Sequence, residues 1–425
     1  MEERDQRKND LWQGGPWERS GPQADTPGAI PPRYVPPRPV LRPRRRKRRF
    51  SLPVCMGLAA LLISLVAISA VMESLWPVQL LPSGDGDYSY HQDHDQEELD
   101  TTPPAIPRAA TGTGVTVELR PDTGEALTYT QIYDKNLPSM VSIQAEDAKT
   151  YSTGTGVVLT SDGYIITNAH VVAGADKVQV ACSDNRVLDA ALVGFDAQED
   201  LAVLKVEATD LTPAEFGDSF ALRCGDPVAA IGDPLGYRST ITDGIVSALD
   251  RDVDVDGVSM VLIQTSAAIN MGNSGGALIN QYGQVVGVTT IKIVAKDGST
   301  ESMGFAIPSV RVKYVVDRLI AGEPVRTAAL GITVSTVQAD EGGLEVLLVD
   351  ANSDAAAQGI QPGDVLKEVN GQTITGADVL RRLKLTLAPG DTVTLTWTQD
   401  GQSHTAKIAM MDADDVGTER SDDNT

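Results

Sequence analysis

The chain has 425 residues, a formal net charge of −23 and three cysteines. This length suits two or three domains, and three cysteines are too few for a small domain built on disulfides. The charge is unevenly distributed: residues 1–50 contain 13 Lys and Arg against 6 Asp and Glu, whereas residues 51–425 contain 22 against 52. Because most of the chain is strongly acidic, we expect no nucleic-acid binding through its bulk surface.

The N-terminal region has the composition of a disordered tail followed by a membrane span. Residues 1–50 contain nine prolines and the basic run Arg42–Arg49 without apolar periodicity, which predicts a disordered tail. In the next segment, 51–72, the 21 residues from Leu52 to Met72 carry no formal charge. About 20 helical residues cross a bilayer and basic residues mark its cytoplasmic side, so we predict one transmembrane helix with a cytoplasmic N-terminus. A cleaved signal peptide is the alternative, although its leader would be unusually long.

Two acidic segments lack the pattern of a folded core. Residues 73–126 are rich in Asp, Glu, Gly, Pro and Thr, and residues 413–425 end the chain with several more acidic residues. We predict a flexible linker and a disordered tail, respectively. His91 and His94 lie in the linker, but a disordered segment would lose conformational entropy on binding a metal ion, so we favour a solvated linker. We predict no metal site and no cofactor.

Region 127–324 consists of short β-branched runs separated by turn sequences, which is typical of antiparallel β-structure. Two sets of six runs, without spacers long enough for parallel crossovers, predict a mainly β fold with two antiparallel six-stranded barrels. The cleft between the barrels is the expected catalytic site, and a helix is predicted at Pro308–Ile320. The first six predicted strands are Val141–Ala145, Thr155–Leu159, Tyr164–Val172, Lys177–Cys182, Ala190–Phe195 and Leu201–Val206. The second six are Pro227–Ile231, Ile241–Leu249, Met260–Thr265, Gly276–Ile279, Val285–Ile291 and Gly304–Ile307.

Ser274 lies in the glycine-rich sequence Gly272–Gly276. A serine hydroxyl becomes a good nucleophile only beside a general base, with backbone N–H groups near the developing oxyanion. The glycines of this sequence allow the backbone to approach a substrate carbonyl closely. An ordinary glycine-rich turn is the alternative interpretation. The choice depends on finding a base and a carboxylate elsewhere in the chain.

His170 and Asp200 are the candidates for the base and its carboxylate. Of the four histidines, two lie in the linker and His404 lies near the end of the chain, which leaves His170. A lone histidine at a strand end is more often structural, so it also needs an orienting partner. Asp200 directly precedes the apolar run Leu201–Val206, where it would be partly desolvated, and Asp196 is a rival four residues earlier. The order His170, Asp200, Ser274 is that of chymotrypsin-type enzymes.

With these residues in place, the chain resembles the high-temperature-requirement (HtrA/DegP-type) serine proteases over roughly residues 127–412. The resemblance rests on five motifs that occur in the order typical of that family. They are Thr167–Val172, Asp200–Val206, Ala230–Gly236, Gly272–Leu278 and Gly304–Pro308.

The resemblance implies a chymotrypsin-like protease domain at 127–324 and a role for each site residue. His170 would be general base and then acid, Asp200 its orienting carboxylate and Ser274 the acylating nucleophile. The oxyanion hole is expected at Gly272, Asn273 and Ser274, chiefly from the amides of Gly272 and Ser274. The walls of the substrate pocket are expected from Ile269, Asn270, Val288, Thr289 and Thr290.

Two further residues bear on activation and specificity. Asn273 stands where digestive relatives carry an aspartate that pairs with a newly cut N-terminus, and an amide cannot form that ion pair. We therefore expect no activation by propeptide cleavage. Ala268 stands where a trypsin specificity pocket has its acidic base, so we predict a preference for small or medium aliphatic residues at the cleavage position.

After a hinge at Gly322–Pro324, region 326–412 has an α+β pattern. Its segments Ala329–Ile332, Gly359–Leu366 and Val369–Gly371 resemble those of a PDZ domain. The resemblance implies capture of a C-terminal peptide as an added strand. Leu330, Gly331 and Ile332 would belong to the carboxylate-binding loop, where the usual preceding aromatic residue is replaced by Ala329. Leu380 and Leu383 would line the apolar pocket, although both fit an ordinary core role equally well. The predicted elements are Leu330–Val337, Leu344–Val349, the helix Ala355–Gly359, Val365–Val369, the helix Ala377–Leu387, Val393–Trp397 and His404–Ala409.

The leading functional hypothesis is a protease that cleaves unfolded or misfolded proteins outside a bacterial cell membrane, as a homotrimer that also binds C-terminal peptides. A catalytically idle peptide-binding chaperone or scaffold is one alternative. A site-specific regulatory protease in stress signalling is another. A disulfide between Cys182 and Cys224 is left open, because the sequence does not fix the distance between them.

Overall fold

The computed structural model describes residues 101–148, 150–233, 240–255, 258–270, 272–290, 303–339 and 341–417. The predicted tail (1–50), the predicted transmembrane helix (51–72) and the first part of the predicted linker lie outside the described residues. The end of the acidic C-terminal tail lies outside them as well. Among the described helices, none has both the length and the apolar character that crossing a bilayer requires.

The first barrel is closed by six antiparallel strands. They follow one another around the barrel in the order β2-β3-β4-β7-β6-β5. Their inward side chains are mostly β-branched or leucine, and Ile143, Ile165, Val180 and Leu204 are almost completely buried in one core cluster. The strands are β2 (Met140–Glu146), β3 (Tyr151–Val158), β4 (Tyr164–Thr167), β5 (Lys177–Ala181), β6 (Val187–Asp196) and β7 (Leu201–Val206).

The second barrel is also closed, because β13 pairs with both β12 and β14 at the ends of the series β13-β12-β9-β10-β11-β14. Two short strands, β1 (Leu119–Arg120) and β8 (Phe216–Gly217), extend its sheet through parallel pairings. The prediction of two antiparallel six-stranded barrels is therefore confirmed. The six barrel strands are β9 (Pro227–Gly232), β10 (Thr240–Val255), β11 (Val258–Thr265), β12 (Ala277–Asn280), β13 (Val285–Thr290) and β14 (Gly304–Pro308).

Three helices accompany the barrels. Helix α1 (Tyr129–Asn136) was not predicted, although Thr128 and Gln131 form a capping box at its start. Helix α2 (Ala169–Val172) replaces the end of the strand predicted to run to Val172, because β4 ends at Thr167 and Asn168 takes the N-cap position. Helix α3 (Ser309–Ala321) is close to prediction and ends at Gly322, whose φ of +76° suits glycine.

Residues 101–126 contradict the predicted flexible linker. This segment, which we call the strap, lies along the protease body: Leu192 donates its N–H to Pro107 O at 2.8 Å, and Gly112 donates to Ile320 O at 2.7 Å. Val117 is fully buried in the core cluster that includes the second barrel and α3. Because the strap is rich in Thr, Pro and Gly, its composition does not reveal the backbone pairing that holds it in place.

The C-terminal domain is an α+β unit, as predicted. Its sheet has the order β16-β17-β18-β20-β21, so β16 is an edge strand, and helix α5 contacts β16. The short strands β15 and β22 pair with each other, and β19 pairs with β18. The elements are β15 (Ala328–Ala329), β16 (Ile332–Gln338), β17 (Leu344–Val349), α4 (Asp354–Ala357), β18 (Val365–Val369), β19 (Gln372–Thr373), α5 (Ala377–Thr386), β20 (Thr392–Gln399), β21 (Gln402–Ala409) and β22 (Met411–Asp412).

The two cysteines in the described part of the chain are both free thiols. Cys182 is buried in the core of the first barrel, and burial raises the pKa of its thiol. Cys224 is exposed and precedes β9. The structure therefore contains no disulfide between them.

We predict that Val117→Ala lowers the free energy of unfolding by about 2 kcal/mol, since it removes two buried methyl groups and leaves a small cavity. Urea-induced unfolding followed by circular dichroism measures the change. Thr116→Ala, at the exposed neighbouring position, is the control and should change stability by less than about 0.5 kcal/mol. Equal stability of both variants would show that the strap does not contribute to the folded body.

Candidate active site

His170 and Asp200 meet in the first barrel, although 30 residues separate them. His170 lies on the short helix α2, and Asp200 lies in the turn between β6 and β7. The ring Nδ1 of His170 is 2.9 Å from Asp200 Oδ1 and 3.0 Å from Oδ2, and the backbone N–H of His170 donates to Oδ1 at 3.1 Å. The predicted pairing of base and carboxylate is therefore present in the geometry.

The Asp200 carboxylate is completely buried, whereas the His170 side chain is 29% exposed. A buried carboxylate must be hydrogen-bonded or paired. Asp200 receives, besides the bonds from His170, a hydrogen bond from the Thr290 hydroxyl to Oδ2 at 2.9 Å. Asn168 Nδ2 donates to the backbone carbonyl of Asp200 at 2.9 Å. The carboxylate is thus held from both barrels.

Asp196, the rival carboxylate, has a different role. Its Oδ1 accepts the backbone N–H of Glu199 at 2.9 Å, which closes the turn between β6 and β7. Burial raises the pKa of the Asp196 carboxyl. Asp200 takes the position next to His170 because its own backbone adopts φ +52°, a left-handed conformation that aspartate tolerates better than most residues.

Ser274 lies on a turn that packs against the first barrel although it belongs to the second. Its carbonyl accepts the backbone N–H of Thr155 in β3 at 2.8 Å. Gly275 has φ +78°, and a Cβ there would lie 2.2 Å from Thr155 O and 2.4 Å from Thr167 Oγ1. Only glycine fits this contact. Since β4 ends at Thr167 and leads into α2, the glycine brings Ser274 to the edge of the His170 site.

The structure brings Ser274 and His170 to adjacent segments without joining their side chains. Within the described part of the chain, the Ser274 hydroxyl forms no hydrogen bond with the His170 ring. Catalytic hydrogen bonds are often long in the absence of substrate and shorten when it binds. Ser274 is 5% exposed, so its access to solvent is narrow.

The predicted oxyanion hole contains one amide that is already engaged. Asn273 donates its backbone N–H to Asn270 O at 2.9 Å, and this bond closes a tight turn. Gly272 has φ +94°, and its carbonyl accepts the Thr155 hydroxyl at 2.6 Å. Of the three predicted residues, Gly272 and Ser274 are left as candidate donors to an oxyanion.

The predicted pocket residues divide into two groups. Ile269 is half-buried against the core, and Asn270 is exposed beside it. Val288 is fully buried in a core cluster, and Thr289 is buried with its hydroxyl donating to Asn273 O at 2.5 Å. Val288 and Thr289 are therefore both buried on β13, and neither forms an open wall in this structure. Thr290 contacts Asp200 instead of lining an open wall.

The predicted peptide-binding residues lie at the edge strand β16 and on helix α5, which contact each other. Gly331 has φ +68° and lies so close to Ser353 and Met411 that a side chain would clash with them. Ile332 begins the edge strand β16, while Leu380 and Leu383 lie on α5. Leu330, Ile332 and the two helical leucines are half-buried against the domain core. Edge strand and helix thus provide the arrangement that strand addition requires.

Three supporting residues were not identified as such from the sequence. The sequence places Asn168 only within the motif Thr167–Val172, and it predicts Thr290 only as a residue of the substrate pocket. Thr155 accepts the N–H of Asp233 at 2.8 Å and donates to Gly272 O. Threonine is common in β-strands, so the sequence alone does not single out Thr155 or Thr290. Each threonine gains its hydrogen-bond partner only when the two barrels pack together.

Comparisons with known families agree with the two domains. Residues 154–288 match the model of the trypsin-like peptidase domain, and residues 328–410 match that of the PDZ domain. The chain resembles the Lactobacillus helveticus serine protease Do-like HtrA, with 39% identity over 285 residues that span 62% of this chain and 69% of that protein. It is 37% identical over 278 residues to the Escherichia coli K12 periplasmic serine endoprotease DegP, spanning 63% of this chain but only 58% of the relative.

The chain is also similar to a solved structure of an HtrA-type protease. The HtrA-type protease AlgW with tripeptide superposes with a TM-score of 0.56 at 32% identity, covering 67% of this chain and 97% of that one. The matches in sequence, fold and domain order point the same way. The chain belongs to the HtrA family of trypsin-like serine proteases with a PDZ domain.

Proposed function

We propose that this protein is a serine endopeptidase of extracytoplasmic protein quality control, which cleaves unfolded or misfolded proteins. The observation that carries the proposal is the hydrogen bond between His170 Nδ1 and the buried Asp200 carboxylate, 2.9 Å long, beside the turn that bears Ser274. The names of relatives such as the E. coli periplasmic serine endoprotease DegP support the extracytoplasmic compartment and the endopeptidase activity.

The geometry supports a definite proton path. Because an ionised carboxylate only accepts hydrogen bonds, the Nδ1 atom of His170 carries the proton that it shares with Asp200, and Nε2 is free to accept one. His170 then takes the Ser274 hydroxyl proton as the serine attacks the scissile carbonyl, and later donates it to the leaving amine. Water hydrolyses the acyl-enzyme by the same sequence. Asp200 stays ionised and stabilises the imidazolium.

Substrate recognition is divided between the two domains in this proposal. Ala268 places no carboxylate at the base of the pocket, and Ile269 gives it an apolar side, which favours small or medium aliphatic residues. The groove between β16 and α5 would bind the C-terminal end of a substrate or an activating peptide. A homotrimer would offer several such grooves to one unfolded chain and so raise their effective concentration.

The proposed topology keeps the domains predicted from sequence. A cytoplasmic tail (1–50) would precede a transmembrane anchor (51–72), and the protease (127–324) and PDZ (326–412) domains would lie outside the membrane of a bacterial cell. In this proposal the linker covers only 73–100, because residues 101–126 form the strap, which packs on the protease body.

We predict that the wild-type chain hydrolyses unfolded casein and is labelled covalently by a fluorophosphonate, and that Ser274→Ala abolishes both reactions. Only the nucleophile forms the bond to phosphorus, so loss of the label is specific to this residue. Circular dichroism of both proteins controls for folding. A folded wild-type protein without either reaction, even with added C-terminal peptide, would instead support the idle chaperone or scaffold.

We predict that Thr290→Val, which keeps the shape of the side chain but removes its hydroxyl, lowers kcat/KM about tenfold. The variant removes one of the donors that hold the buried Asp200 carboxylate, and a hydrogen bond to a charged group contributes about 1.5–3 kcal/mol. Hydrolysis of a fluorogenic peptide measures the effect. Thr396→Val, which removes a hydroxyl contact with Thr405 in the PDZ domain, is the matched control. An unchanged rate for Thr290→Val would remove this threonine from the mechanism.

We predict that a peptide with an apolar C-terminal residue binds at least about tenfold more tightly as a free carboxylate than as the C-terminal amide. The loop around Gly331 would bind the charged terminus, whereas the edge strand pairs with either form. Fluorescence anisotropy of labelled peptides measures both affinities. Equal binding of the acid and the amide would exclude carboxylate capture at this groove.

A further inference from the structure

Arg311 is a charged residue whose side chain is only 5% exposed. It lies in the first turn of α3, and its guanidinium carbon is 4.6 Å from the centroid of the Tyr314 ring. A buried charge is unfavourable unless it is paired and fully hydrogen-bonded. The partners of Arg311 therefore have to be held in place together with it.

The partners of Arg311 come from three distant segments. The guanidinium forms a two-point ion pair with Glu199, with Nε donating to Oε2 at 2.8 Å and Nη2 donating to Oε1. Nη2 also donates to the Thr327 hydroxyl at 2.9 Å, in the connection between the domains. Nη1 donates to the backbone carbonyl of Lys384 at 2.8 Å, in the last turn of α5. The planar fork of arginine suits such a junction, and lysine cannot reproduce it.

Glu199 directly precedes the buried Asp200. The turn that carries both residues is anchored at its backbone by the bond from Glu199 N–H to Asp196, and at its side chain by Arg311. Asp200 itself is held at φ +52°, and a strained conformation persists only where its surroundings fix it. We propose that Arg311 is a positioning residue: it fixes the turn that places Asp200 against His170, and the PDZ domain completes its binding site. This inference rests on the proposed function.

The PDZ domain contributes to the Arg311 site through α5, the helix beside the proposed peptide groove. A cation near the last carbonyls of a helix interacts favourably with its dipole, as Arg311 does at α5. The same helix is held at a second point, where Arg382 Nε donates to Asp250 Oδ2 of β10 at 2.8 Å. Leu380 and Leu383 of this helix face the peptide groove in the proposed function. One element thus links the groove to the turn beside the catalytic carboxylate.

The test compares variants of the full-length chain by the rate of Ser274 labelling with a fluorophosphonate, by kcat and KM on a fluorogenic peptide, and by melting temperature. The double variant Arg311→Met with Glu199→Gln removes the ion pair without leaving a lone buried charge. We expect its kcat and its labelling rate to fall about tenfold, with KM changed less than about twofold. Arg311→Lys should lie between the double variant and wild type.

The matched control is Arg318→Met. Arg318 lies on the same helix and also stacks on Tyr314, at 3.8 Å, but it donates its hydrogen bond to the Tyr314 carbonyl of its own helix. The Arg318→Met variant should be labelled, and should hydrolyse the peptide, at the wild-type rates. Arg382→Gln, which loosens α5 at the second contact, should slow labelling about threefold; an unchanged rate would overturn the role of the PDZ domain.

If Ser274 of the double variant is labelled at the wild-type rate and the variant hydrolyses the peptide at the wild-type rate, the inference is overturned, even if the melting temperature falls. Should the double variant fail to fold, Glu199→Gln alone decides, because it keeps the side-chain shape and removes the charge. Wild-type labelling by that variant would equally overturn the inference. An unlabelled wild-type chain would overturn the proposed function itself, and the inference with it.

Discussion

The candidate active site depends on one completely buried carboxylate, that of Asp200. A buried carboxylate is unfavourable unless hydrogen bonds compensate for its lost solvation. Here hydrogen bonds with His170 and from Thr290 compensate for that loss and fix the orientation of the imidazole. These donors come from both barrels. The correct seating of one barrel on the other is therefore a condition for the chemistry as well as for stability.

The contact between the barrels combines an apolar cluster that spans both of them with hydrogen bonds of backbone groups and of the Thr155 hydroxyl. Thr155 of the first barrel reaches the carbonyl of Gly272 and the amide of Asp233, and its own N–H binds the Ser274 carbonyl. Such contacts are directional, so small displacements of the nucleophile turn would be costly. The strap adds a second link, because it bonds to β6 and then to α3 before it pairs with β8. Both features restrict relative motion of the barrels around the site.

The PDZ domain is attached to this body through charged residues that are mostly buried. Arg311 of α3 and Asp250 of β10 each hold α5 through a polar contact. Buried ion pairs add little net stability, since desolvation offsets the attraction between the charges, but they penalise misplaced partners strongly. A contact of this kind favours one docking geometry without binding the domains tightly. Such a contact is consistent with the positioning role that we propose for Arg311.

The sequence by itself determined the mainly β fold, the two sets of six strands, the PDZ elements and the identity of His170, Asp200 and Ser274 as candidates. These features can be read from short stretches of sequence, because alternating β-branched residues and glycine turns mark the strands locally and the motifs around the three candidate residues are short. It missed α1 and the packed strap, and it extended one strand through His170, because caps and backbone pairing depend on distant partners. Only the tertiary structure decided between Asp196 and Asp200, buried Val288 in the core, and joined Glu199 to Arg311. Those choices follow from contacts between residues 30 to 112 positions apart or from a single backbone turn, which no local pattern encodes.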